Sequence, residues 1–124
     1  MEHPCCAGGA MATDCVFCKI VAGEIKTEFL HQDTDVVAFR DIHPRAPIHL
    51  LVVPRAHIPT VGELPAGNHS LAGHMLAVAV LLAKQHKVAA TGYRLVMNTG
   101  PDSGQEVHHL HMHLLGGKRL GPMC

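Results

Sequence analysis

The stretch Val107-His108-His109-Leu110-His111-Met112-His113-Leu114-Leu115 decides how this chain is read. Successive residues of a β-strand point to opposite faces, so alternating histidine with an apolar residue separates two chemistries by face. His109, His111 and His113 form one line, and Leu110, Met112 and Leu114 face the other way. With the apolar side buried against a core, three imidazoles stand in a row above a sheet. Gly116 and Gly117 stop the strand, which is expected over residues 107–115.

Just ahead of this line, residues 99–104 form a Gly-containing loop whose backbone N–H groups can turn toward a phosphate, and Asn98 offers a neutral side-chain donor. Residues 93–98 read as the strand before it. Residues 70–88 carry a wide apolar stripe that includes Leu71, Met75, Val78 and Leu82, as a helix covering one face of a sheet would. Nearer the start, residues 27–31, 36–41 and 48–53 read as strands. A polar turn at 32–35 and the breakers Pro44-Arg45-Ala46-Pro47 separate them, and Pro54 ends the third. A short helix is expected over 16–22, capped by Asp14 and closed by Gly23. Five strands with one principal helix suggest an α+β domain with an antiparallel sheet. Residues 1–13 read as a loose tail, leaving one domain over 14–124.

Composition sets the outer limits. Of 124 residues, 48% are hydrophobic and 16% charged, which suits one globular core. Ten basic residues offset ten acidic ones, which argues against the clustered positive surface of a nucleic-acid binder but not against one bound anion. No apolar run approaches the roughly 20 residues a membrane helix needs. The opening residues lack the basic start and apolar core of a secretory signal, so no membrane partner and a cytoplasmic location are expected.

Imidazole is a competent nucleophile near neutral pH, and neighbouring imidazoles can supply or accept protons. The line of histidines beside a Gly-containing loop therefore describes a phosphoryl-transfer site. Three alternating histidines can equally hold a metal ion. On spacing alone both readings stand.

The segment resembles the signature of the histidine-triad superfamily, three histidines alternating with apolar residues and followed by two more. The resemblance runs through Val16-Phe17-Cys18-Lys19-Ile20, Ala38-Phe39-Arg40-Asp41-Ile42 and Ala46-Pro47-Ile48-His49-Leu50-Leu51-Val52-Val53-Pro54. It continues through Gly92-Tyr93-Arg94-Leu95-Val96-Met97-Asn98 and Gly104-Gln105-Glu106-Val107, so it spans nearly the whole chain in order. It points to the Hint branch.

The resemblance implies a hydrolase that cleaves the P–N bond of purine nucleoside phosphoramidates, with acyl-adenylates as a second candidate substrate class. His111 maps to the nucleophile that becomes nucleotidylated, and His113 to a donor toward the phosphate and leaving group. His49 maps to a fourth histidine that holds the hydrogen-bond chain, with His109 completing the triad. Phe17, Phe39, Ile42 and Leu51 match positions around the purine, and Asp41 matches the carboxylate that accepts the ribose hydroxyls. Asn98, Gly104, Gln105 and the backbone of Glu106 and Val107 match the phosphate side. Glu106 departs from the Ser common in the branch, so no hydroxyl role carries over to it. His108 replaces the usual aromatic residue before the triad. The resemblance also implies a homodimer joined through the main helix and fourth strand into a ten-stranded sheet.

Cys15 and Cys18 have the spacing of a metal knuckle or of a redox pair. The resemblance supplies two more ligands, His57 and His109, as in the zinc-containing bacterial members, which implies a structural zinc with no open position. The other histidines, including His31 and His74, read as surface or otherwise satisfied residues. Two rival functions remain: hydrolysis of dinucleoside polyphosphates by the Fhit-like branch, and a nucleotide-binding scaffold. Gly116-Gly117 after the triad favours Hint, and intact His49, His109, His111 and His113 argue against an inactive binder.

Overall fold

The Pro-bounded, largely apolar run Ile48–Pro54 forms the central strand β3 and is buried along nearly its whole length. In the computed structural model, which describes residues 15–64 and 69–123, β3 lies between β2 (Val36–Arg40) and β5 (Met112–Gly116). Two outer strands, β1 (His31–Gln32) and β4 (Tyr93–Val96), complete a sheet of order β1-β2-β3-β5-β4, antiparallel throughout. The expected tail over 1–13 and the expected cap Asp14 lie outside the described residues.

The two faces of this sheet are covered differently. Val36, Ala38, Leu50, Val52, Met112 and Leu114 pack against Met75, Val78, Ala79, Leu82 and Ala83 of the long helix α2 (His69–Gln85). Each fully buried Val or Leu here contributes about 1.5–3 kcal/mol, so this interface fixes the sheet to its helix. The other face buries Val37, Phe39, Leu51 and Val53 beneath Cys15, Phe17, Cys18 and Ile20 of the short helix α1 (Val16–Ala22) and its cap. Cys15 caps α1, its Sγ accepting the Cys18 N–H at 3.2 Å, and Gly23 closes it in the left-handed conformation at φ 85°.

Several element limits differ from expectation. The first strand, expected over 27–31, pairs only at His31 and Gln32. The main helix ends at Gln85 rather than 88, because Lys87 turns left-handed (φ 63°) and the Val88 N–H bonds back to the Ala83 carbonyl. The fourth strand stops at Val96. The fifth joins the ladder only at Met112, five residues later than expected, and ends at Gly116. Two short 3-10 turns, Val61–Glu63 and Pro101–Ser103, were not foreseen. Among the described residues, no helix is long and apolar enough to cross a membrane.

Candidate functional site

β5 enters the sheet late because the preceding residues bond elsewhere: the Leu110 N–H donates to the Ile58 carbonyl, and the His109 ring to the Pro54 carbonyl at 2.8 Å. Alternation nevertheless survives. Leu110, Met112 and Leu114 stay in the α2-facing core, while His109, His111 and His113 occupy the opposite face. That face is not the open shelf the alternation suggested. α1 roofs part of it, and Phe17 meets His109 and His111 edge-on, with ring centroids 5.8 and 5.0 Å apart. His109 is fully buried, His111 nearly so, and His113 half-buried.

Hydrogen bonding assigns the protons on these rings. His111 Nδ1 lies 2.7 Å from the His109 carbonyl, an acceptor only, so Nδ1 carries the proton and Nε2 keeps its lone pair. The Arg45 N–H donates to His49 Nδ1 at 3.0 Å, which places the proton of neutral His49 on Nε2. That proton points to His113 Nδ1 at 2.9 Å, with an Asp41 carboxylate oxygen 3.4 Å away as a second acceptor. Neutral His113 must then carry its proton on Nε2. A nucleophilic nitrogen and an N–H donor are thereby set on adjacent rings, whose centroids lie 5.0 Å apart. The Arg45 amide, which starts this relay, was not foreseen; the only hint was its place four residues before His49 in a Pro-bounded turn.

Burial keeps the rings neutral. It lowers the pKa of His111, against the opposing pull of the His109 carbonyl and of Asp41. Burial also lowers His113 to about 4, helped by the neighbouring His111 and His49 and opposed by Asp41. His49 is lowered by burial despite Asp41.

Of the residues expected around a purine, Phe17, Phe39 and Leu51 come together as one buried cluster on the histidine face. Ile42 stands apart, 85% exposed, one residue beyond Asp41. Asp41 is half-buried at the end of β2; one of its oxygens accepts the His43 N–H at 2.8 Å. Asn98 is half-buried, two residues past β4.

The loop before the triad is more self-contained than expected. Its Ser103, Gly104 and Gln105 N–H groups bond to carbonyls of Gly100 and Pro101, and Gly100 N–H donates to the Gln105 side chain at 2.8 Å. The Gln105 amide also donates to the Pro59 and Val107 carbonyls at 2.9 and 3.0 Å. Gln105 is thus a brace, its side chain fully engaged by backbone. Among the hydrogen bonds of the described residues, none engages the Glu106 or Val107 N–H, which leaves these two amides able to meet an anion.

Cys15, Cys18, His57 and His109 converge as a candidate metal-binding group, their ligand atoms all within 4.8 Å of one another. His109 Nδ1 lies 3.2 Å from Cys15 Sγ and 3.7 Å from Cys18 Sγ, and His57 Nδ1 lies 3.2 Å from Cys18 Sγ. Around a tetrahedral zinc ion, sulfur and nitrogen ligands sit about 3.5 Å apart, so the set has the right size. The Pro54 carbonyl takes the Nε2 proton of His109 and turns the Nδ1 lone pair toward the sulfurs. Burial lowers His57 and takes His109 to about 4, which keeps both in the neutral form a metal requires. Cys18 is disulfide-bonded in the structure, and its metal-ligating form is the reduced thiolate.

The HIT domain model matches residues 22–120. The purine nucleoside phosphoramidase of Escherichia coli K12 is 50% identical over 113 residues, covering 91% of this chain and 95% of that protein. Among solved structures, a HIT family hydrolase from Legionella pneumophila superposes with a TM-score of 0.84 at 42% identity, covering 87% of this chain and 96% of that one. A histidine triad protein from Clostridium difficile gives a TM-score of 0.85, also at 42% identity, covering 88% and 95%.

Proposed function

The chain belongs to the HIT domain family, and on that premise we propose that it hydrolyses purine nucleoside 5'-phosphoramidates to nucleoside monophosphates through a nucleotidyl-histidine on His111. The observation that carries this reading is the proton pattern of the triad. His111 Nε2 has a lone pair, His113 Nε2 has a proton, and both rings are kept neutral.

In the first step the lone pair of His111 Nε2 forms a bond to the α-phosphorus, and the P–N bond breaks. The departing nitrogen takes its electron pair and the His113 Nε2 proton, and leaves as an amine. In the second step water attacks the phosphorus, His113 Nε2 recovers a proton from that water, and the electron pair of the P–N bond returns to His111. Positioning and donors aimed at developing charge supply the catalysis. The Glu106 and Val107 amides are the donors suited to the phosphate oxygens, with Asn98 nearby. Gly104 and Gln105 shape the loop that presents them. Phe17, Phe39 and Leu51 form an apolar floor for the base, and Ile42 an exposed wall beside Asp41, whose carboxylate accepts the ribose hydroxyls.

In the reduced chain, Cys15, Cys18, His57 and His109 would hold a structural zinc ion. All four positions of a tetrahedral ion are then taken by protein, so its contribution is to fold stability. A homodimer fits the same reading. β4 is an edge strand of the sheet among the described residues, and Leu76, Val80 and Leu81 lie exposed on α2, as expected if a partner covers them.

The test is a comparison of purified protein on an adenosine phosphoramidate and on a diadenosine polyphosphate. Preferred turnover of the phosphoramidate is expected. Preference for the polyphosphate would transfer the chain to the rival hydrolase reading, and turnover of neither would leave a nucleotide-binding scaffold.

A further inference from the structure

Away from the triad, on the side of the sheet that packs against α2, three side chains from three parts of the fold meet at one atom. Asp33 sits in the turn between β1 and β2, His31 on β1, and His74 on α2. His31 Nε2 and His74 Nε2 each lie 2.7 Å from the same Asp33 oxygen, Oδ2. The other oxygen, Oδ1, is already saturated by the Asp35 and Val36 N–H groups at 2.9 Å each. Arg55 Nε braces the turn further by donating to the Asp33 carbonyl at 2.7 Å. The carboxylate is therefore fixed in orientation, with one oxygen presented to two imidazole nitrogens.

We propose that His31, Asp33 and His74 form a second site for a divalent transition-metal ion, distinct from the cysteine-containing set. The three ligand atoms lie within 4.8 Å of one another, the span an ion needs. Ligands around a zinc-sized ion sit about 3–3.5 Å apart, so each ring must withdraw from the carboxylate by only a few tenths of an ångström. Both rings are on rotatable side chains; each neutral ring moves its proton to Nδ1 and offers the ion the Nε2 lone pair in place of the N–H now directed at Oδ2. Side-chain exposures of 22% for His31, 29% for Asp33 and 41% for His74 leave an entry path and room for water to complete the coordination. Two nitrogens and one oxygen select zinc, nickel, cobalt or copper over calcium and magnesium, which demand oxygen ligands. The carboxylate is ready for a cation. Burial works against its charge, but the bonds from His31, the Asp35 amide, His74 and the Val36 amide outweigh it and hold its pKa below the usual carboxylate range. A bound ion would tie α2 to the β1–β2 turn.

The probe is Ni²⁺, titrated calorimetrically into the full chain after reduction and loading of the cysteine set with zinc. One saturable equivalent per chain is expected. His31→Gln and His74→Gln, both at partly exposed positions, should each weaken it by about tenfold or more. His86→Gln, just past the C-terminal end of the helix that carries His74, should leave it unchanged. Cobalt added as the second equivalent should show no thiolate charge-transfer band. Four results would overturn the site. These are no saturable binding in the wild type, unchanged binding in either His31→Gln or His74→Gln, loss of binding in His86→Gln, and a thiolate band on the second equivalent.

Discussion

The ring of His111 donates from Nδ1 to the backbone carbonyl of His109 at 2.7 Å, while the ring of His109 faces Cys15 and Cys18. One residue thus joins the candidate metal set by its side chain and orients the candidate nucleophile by its backbone. The backbone bond does not require the side chain, so stability and chemistry can be separated experimentally.

Untagged, reduced protein should retain about one tightly held zinc per chain after dialysis. Cys15→Ser should lower the melting temperature and the zinc content, yet reduce the turnover rate of the protein that remains folded only a few-fold. A metal-free preparation that is fully stable, and unchanged by added zinc, would remove the structural-zinc proposal.

The relay from the Arg45 amide through His49 to His113 predicts a split in kinetic constants. His49→Ala leaves His113 free to exchange its proton between ring nitrogens, so kcat should fall with little change in KM. His113→Ala should cost more, about 100-fold, and most for substrates with poor leaving groups, because it removes the donor itself. Equal losses across leaving groups in single-turnover measurements would show that His113 does not protonate the amine.

The proton pattern also sets a pH dependence. An ordinary histidine charges near 6.5, whereas burial holds His113 neutral down to about 4. The acid limb of kcat/KM, which reports the free enzyme, should therefore fall below 6.5. Between those two values the unfolded chain binds a proton that the folded His113 does not. This group therefore makes stability fall as pH drops from 6.5 toward 4. An acid limb at 6.5 or above would contradict the buried, neutral assignment.

A doubled mass in light scattering is expected at micromolar concentration, and a mass near 13.3 kDa would defeat the dimer. Leu81→Lys, on the exposed apolar side of α2, should shift the population toward monomer without unfolding the domain.

Much of this was legible in the sequence. The alternation around His111 assigns each side chain to its face, and the stripe through Met75, Val78 and Leu82 places the main helix on the opposite one. Strand limits were less legible, because periodicity records which face a residue occupies and not which backbone group it bonds. Residues 107–111 keep their alternation without joining the strand ladder: the Leu110 N–H bonds to the Ile58 carbonyl, and the His109 ring to the Pro54 carbonyl. The roles of backbone partners were invisible for the same reason. Nothing in the residue types shows that Arg45 donates to His49, or that Gln105 braces its loop through Gly100, Pro59 and Val107. His31 and His74 looked like ordinary surface histidines because the Asp33 that gathers them lies 41 residues from the second.

The central claim is that His111 carries the nucleotidyl group, and rapid-quench mass spectrometry on an adenosine phosphoramidate tests it most directly. The wild-type chain should accumulate, within one turnover, an adenylate adduct that maps to His111 and decays as adenosine monophosphate appears. His111→Ala should bind the nucleotide with near-normal affinity, form no adduct and lose turnover by at least about 1000-fold. An adduct on another residue, or a single-turnover rate in His111→Ala close to that of the wild type, would contradict the account.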